Sequence, residues 1–145
     1  MQLSLEKTVV MHCGHQPAYD YYIHGVKISS VDGFPDLGVH RSACGTYAGH
    51  CEALARKASR VAGAVRKAFH SRSRALLWPA YQYYVLPLLI YMSPVWSPWL
   101  KRDVDRLERV QRRYTKMITE LHGLPYLVRL RELQALTLSN MRAVT

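Results

Sequence analysis

Acidic residues are scarce in this chain: ten Asp and Glu stand against 20 Lys and Arg in 145 residues, a net charge of +10. With so few carboxylates, the strand-prone N-terminal part holds no close acidic pair of the kind that grips two metal ions. Asp103, Asp105 and Glu108 fall among cations on a helix, where salt-bridging is the expected role. No serine-histidine-acid order, phosphate-cradling glycine loop or His-Glu-x-x-His occurs, so independent catalysis is not expected. Cysteine is scarce as well. Cys13, Cys44 and Cys51 are odd in number and form no Cys-x-x-Cys pair. No basic-then-apolar leader opens the chain, which argues against a secreted disulfide framework. His12, Cys13, His15, Cys44, His50 and Cys51 match no zinc-finger or knuckle spacing. They are read as ordinary thiols and loop histidines, with no metal site and no cofactor.

Charge is missing altogether from residues 75–100, which hold four tyrosines, three tryptophans and a run of Leu, Val and Ile. Such a stretch is long enough to cross a bilayer, and Arg72, Arg74, Lys101 and Arg102 flank it. Pro79, Pro87, Pro94 and Pro98 speak against one continuous span, because each removes a backbone donor and tends to kink a helix. The preferred expectation is a buried, kinked helix over about 73–92, followed by an irregular Ser-Pro-Val-Trp-Ser-Pro loop. A small membrane-associated protein anchored by 75–100 is the alternative reading of this segment.

What is abundant is positive charge, and it is unevenly placed. Residues 1–45 carry three basic and four acidic side chains; residues 46–145 carry 17 and six, a net of +11. Arginine outnumbers lysine by fourteen to six, and a guanidinium can grip a phosphate bidentately. A half-apolar chain of this length can bury a fair core, about two-thirds of its unfolded surface, and the uneven charge leads to the expectation of two sub-structures.

The first part reads as strand and turn, with nothing helical before residue 40. Residues 8–12 are β-branched and apolar, and residues 19–23 and 26–28 flank His24-Gly25 as a hairpin. Leu37-Gly38-Val39 is expected as a further short strand, entered from a turn at Phe34-Pro35-Asp36. Beyond Gly45 the period changes. Tyr47, Cys51, Leu54, Ala58, Val61, Val65 and Ala68 recur at steps of three and four, the apolar stripe of a helix over about 47–70. Arg56, Arg60, Lys67 and His70 follow the same rhythm on another face, and Gly63 fills a gap at a cost of about 1 kcal/mol to the helix.

Ser97-Pro98 is expected to open the next long helix. Its core stripe is Val104, Leu107, Gln111, Tyr114, Ile118 and Leu121, with Val110 and Met117 beside it. Arg102, Arg106, Arg109, Arg113 and Lys116 form a cationic row about half a turn away, partly neutralised by Asp105–Arg109 and Glu108–Arg112 pairs. His122-Gly123 ends that helix, a shorter one covers about 125–136, and Leu138 to Val144 begins another. The fold class is therefore α+β: a short β-hairpin region over 1–45, followed by an all-α bundle over 46–145. One basic stripe is usually a solvated helix face. Two of them, with a net of +11, point to the phosphate backbone of a nucleic acid.

The residue order also resembles a known family. Lys7-Thr-Val-Val-Met-His-Cys-Gly14, Tyr21-Tyr-Ile-His-Gly25 and Asp36-Leu-Gly-Val39 resemble the region just after the catalytic strands in reverse transcriptases of non-LTR (LINE-type) retrotransposons. Val95-Trp-Ser-Pro98 and Leu107-Glu-Arg-Val-Gln-Arg-Arg113 with Thr115-Lys116 are similar to that family's "WSP" and "LE.VQRR.TK" signatures. The likeness runs from about Leu3 to Met141. It implies a palm edge followed by a thumb-like helical domain, truncated at its C-terminus. Lys7 would match a lysine that acts on the leaving pyrophosphate, although Ser4 replaces the usual asparagine three residues earlier. Asp36, Leu37, Gly38 and Val39 would match the primer grip.

The family binds Mg2+ through aspartates that would lie upstream of Met1, so the expectation is a fragment of an RNA-directed DNA polymerase without its own catalysis. Leu86 and Ile90 stand where the family usually carries Arg and Glu, in keeping with a remnant of a degraded element, which is the other alternative. The expected partner is an RNA–DNA hybrid or duplex, gripped by Arg56, Arg60, Lys67, Arg102, Arg106, Arg109, Arg113 and Lys116. No small-molecule substrate is expected, and the resemblance implies an intracellular, nuclear setting.

Overall fold

The computed structural model describes residues 4–14 and 19–144, so His15 lies outside the described residues. The fold is α+β, with short strands first and helices after. It divides into two compact units, Met1–His50 and Cys51–Thr145.

Among the described residues the N-terminal unit holds three two-stranded sheets. Strand β1 (Val9–Val10) pairs in parallel with β4 (Ser29–Ser30), and β2 (Tyr22–Ile23) pairs antiparallel with β3 (Val26–Lys27). Strand β5 (Gly33–Asp36) pairs antiparallel with β6 (Val39–Ser42). Both hairpins turn on two residues with positive φ, His24-Gly25 (49° and 80°) and Leu37-Gly38 (46° and 82°). That is the conformation whose twist matches right-handed strands, and glycine takes its second position without strain.

The expected order of turn and strand is reversed at the second hairpin. Phe34-Pro35-Asp36 is strand, and Leu37-Gly38 is the turn. The register Pro35↔His40 explains how proline is tolerated, since an outer strand need not donate there. Of the strand expected over 8–12, only Val9–Val10 is paired. Leu5–Lys7 forms a single 3-10 turn, closed by the Thr8 hydroxyl on Ser4 O at 2.8 Å, in a stretch whose sequence predicts no helix.

Helix α1 (Ala48–Ala68) buries Cys51, Ala55, Ala58, Ala62 and Val65. The expected stripe is thus rotated by about one position: small Ala55 and Ala62 face inward, while Leu54 and Val61 sit at the margin. A Cβ added at Gly63 would meet nothing within 4 Å. The glycine therefore makes no close approach, and Gly63→Ala should raise stability by about 1 kcal/mol in thermal unfolding.

Helix α2 (Arg74–Ala80) runs through a π-helical turn, Tyr81–Val85, into α3 (Leu86–Ile90). Pro87 has no N–H to donate, and the Leu86 amide reaches back five residues to Tyr81 O instead of four. Met92, at φ 51°, ends the run. The Ser-Pro-Val-Trp segment expected as irregular loop is one helical turn, α4 (Ser93–Trp96), held by Trp96 Nε1–H donating to Tyr91 O at 2.6 Å. Among the described residues no helix is long and apolar enough to cross a membrane.

Helix α5 (Lys101–Lys116) starts three residues later than Ser97-Pro98 suggests. Leu100 O accepts the first helical amides, from Asp103 and Val104, at 2.9 and 3.1 Å. Trp96 is fully buried just upstream, so Ser97–Trp99 is drawn out as a connector. The helix also ends sooner than His122. The Thr119 amide donates to Arg72 O at 3.0 Å rather than to a helical carbonyl, and Ile118 turns extended to bury its side chain. Helix α6 (Tyr126–Glu132) is shorter than expected because Gln134 adopts φ 52°. Helix α7 (Leu138–Val144) opens where the sequence places it, with the Thr137 hydroxyl accepting from the Asn140 amide at 3.2 Å.

The helical unit's core is more polar than its sequence pattern implies. Gln111 is fully buried, accepts from Tyr81 O–H at 2.7 Å and donates to Leu136 O at 3.0 Å. Tyr114 O–H donates to Leu77 O at 2.8 Å, and its ring lies 4.9 Å from that of Tyr81. Burial pushes the Tyr114 hydroxyl up to about 12 and raises Tyr81 well above its usual value, so both stay protonated donors.

A candidate nucleic-acid interface

In the helical unit, α1 and α5 run side by side in the same direction. Glu52 meets Arg106 at 3.9 Å near their starts, and the bond from Thr119 N–H to Arg72 O lies past the ends of both. Between them opens a trough of about 820 Å³. Its walls carry Arg56 and Arg60 from α1 and Arg106, Arg109 and Arg113 from α5, with Glu52 as the acidic member. The two basic stripes read separately from the sequence thus converge on one surface. Helical steps of three and four place the cations about 4.5–6 Å apart along each wall.

The cations are not equivalent. Arg56 reaches Glu52 at 4.0 Å, and Arg106 is paired with Glu52 at 3.9 Å and Asp103 at 3.5 Å. Arg102 also turns to Asp103, at 3.6 Å. Among the described residues no carboxylate pairs with Arg60, Arg109, Arg113 or Lys116, all of them exposed. The trough is therefore half neutralised at its Glu52 end and carries uncompensated charge at the other. Lys116 lines an adjoining cavity with Arg72 and Arg113, whereas Arg102 and Lys67 line neither.

Two of the acidic side chains that the sequence places among the cations of α5 are buried. Asp103 is 2 % exposed and Glu108 6 % exposed. Neither the Asp105–Arg109 nor the Glu108–Arg112 ion pair forms among the described residues. Glu108 instead accepts from Tyr126 O–H and from the Leu138 amide, the latter at 3.0 Å, so one carboxylate ties α6 and α7 to α5. Burial and then the Glu108 carboxylate push the Tyr126 hydroxyl far up, which keeps it a donor. Arg112 and Arg129 stack on the Tyr126 ring at 4.9 and 5.5 Å. Arg142 is buried over Trp96 at 6.0 Å; desolvation lowers its pKa while the Glu108 charge draws it back. Sequence reasoning misses this network because charge type outweighs angular position. Glu108 is adjacent to Leu107 and one turn from Gln111 and Val104, and that neighbourhood is the signal a sequence offers.

In the N-terminal unit, Lys7 lines a cleft of about 390 Å³ with Thr8, Val9, Met11, Phe34, Asp36 and Arg41. Two residues singled out by the family resemblance, Lys7 and Asp36, therefore share one cleft. Leu37 is 75 % exposed at the hairpin tip, beside Gly38, and Val39 is buried behind it. His50 Nδ1 accepts from the His40 amide at 3.3 Å, and burial holds its pKa below the usual value. The three cysteines are free, Cys13 and Cys44 exposed and Cys51 buried. The Ser42 and Thr46 hydroxyls bring the Cys44 thiol down to about 7, and burial pushes Cys51 up to about 11. Among the described residues no three His, Cys, Asp or Glu side chains are grouped to hold a metal ion. No known protein family, curated protein or solved structure matches the chain.

Proposed function

We propose that the helical unit binds the phosphate backbone of a nucleic acid in the α1–α5 trough, and that the chain acts by binding rather than catalysis. The observation that carries this reading is the convergence of five arginines from two helices on one open surface that holds a single carboxylate among the described residues. A solvated helix face has no need of a second cationic wall opposite it. Arginine's planar fork suits phosphate oxygens and carries no base code, so the affinity is sequence-independent. With the resemblance to non-LTR reverse transcriptases, the unit is thumb-like, and its ligand is the template–primer duplex or hybrid.

Three to five phosphate contacts set the expected salt dependence. Binding of the intact chain to a fluorescent RNA–DNA hybrid should weaken roughly a hundredfold between about 50 and 200 mM salt, on a log–log slope of about −3 to −4.5. Binding that ignores salt, or its absence at the lowest salt, overturns the reading.

A further inference from the structure

The trough has a built end. Past α1 the chain at residues 69–73 crosses to the end of α5, where the Thr119 amide donates to Arg72 O at 3.0 Å. The Arg74 amide donates to both Glu120 carboxylate oxygens at 3.0 Å, which turns that acid toward the start of α2. In the corner so formed lies a second cavity of about 400 Å³, lined by Arg72, Arg113, Lys116, Met117, Thr119 and His122. Arg113 belongs to both cavities, so the corner continues the trough. Among the described residues its three cations come from two segments: Arg72 from the crossing segment, Arg113 and Lys116 from the last turn of α5. Among the described residues none of the three pairs with a carboxylate. Thr119 adds a hydroxyl, and His122 a ring nitrogen.

We infer that this corner receives the terminal phosphate of a nucleic-acid strand whose backbone lies in the trough. The inference rests on the binding reading above and names the part of the ligand that this end of the trough recognises. A row of cations on two parallel walls suits a run of diesters, each with one charge. A corner with three converging cations and a hydroxyl suits a monoester, which carries close to two charges and three acceptor oxygens at neutral pH. The crossing segment marks where the two cationic walls end, so a strand's terminus is the part of the ligand that meets the corner.

The test compares one short oligonucleotide in three forms, with 5′-phosphate, with 3′-phosphate and with hydroxyls at both ends, bound to the intact chain near 100 mM salt. One phosphorylated form should bind about five- to tenfold tighter than the hydroxyl form. Arg72→Ala with Lys116→Ala should erase that difference. Arg60→Ala with Arg109→Ala should weaken all three forms together and keep it. Equal binding of the three forms, or a difference that survives Arg72→Ala/Lys116→Ala, overturns the corner site and leaves the trough standing. Absence of binding by every form overturns the trough, and the corner falls with it. Circular dichroism of each variant, matching the parent chain, excludes unfolding as the cause.

Discussion

Glu108→Ala is expected to cost about 3 kcal/mol of stability, measured as a shift of the urea midpoint followed by far-UV circular dichroism. The carboxylate is 6 % exposed and is the acceptor for both Tyr126 O–H and the Leu138 amide. Alanine leaves two donors without an acceptor and empties the space that the side chain filled, and each charge-assisted bond is worth about 1.5–3 kcal/mol. It also strands the buried Arg142 guanidinium, whose positive charge that carboxylate supports. Glu108→Gln keeps the shape and one acceptor oxygen and should lose about half as much. Hydrogen exchange should place the added opening in α6 and α7, because Glu108 reaches the start of each. A loss below about 0.5 kcal/mol, typical of an exposed surface site, would return Glu108 to the outer face where its charge alone places it.

The same residue marks the limit of what the sequence conveys. The division into strands and then helices is legible, because alternation, Gly-containing turns and a change to steps of three and four are local signals. The long helices are legible for the same reason, and so is α7. Boundaries are not, since tertiary partners decide them. Thr119 gives its amide to Arg72 and stops α5, while a buried Trp96 delays its start. The second hairpin misleads because proline and aspartate suggest a turn. The left-handed pair Leu37-Gly38 needs only one glycine, and its leucine gives no warning. For the candidate site, both basic rows are visible as rows. What no periodicity conveys is which rows face one another, and the trough exists only because α1 and α5 lie side by side. Nor can the sequence tell Arg106 and Arg102, committed to Asp103, from Arg109 and Arg113, which are not.

That distinction selects the variant with the largest expected effect on binding. Arg60, Arg109 and Arg113 are exposed trough arginines with no carboxylate partner among the described residues. Replacing all three by alanine should leave the fold intact, since surface changes of this kind move stability by less than about 0.5 kcal/mol each. Affinity for an RNA–DNA hybrid near 100 mM salt should fall about a hundredfold, and the log–log slope should flatten by about three, one for each phosphate no longer neutralised. Arg106→Ala is the poorer probe, because it withdraws a partner from Asp103, which is 2 % exposed; its weaker binding would be mixed with destabilisation. Lys67→Ala and Arg66→Ala serve as the comparison, since neither side chain lines the trough or its adjoining cavity and neither pairs with a carboxylate among the described residues. If those two substitutions weaken binding as much as the trough substitutions do, the affinity follows net charge alone and the trough has no privileged role. If the slope flattens only for Arg60, Arg109 and Arg113, the counterions released on binding come from phosphates that lie in the trough.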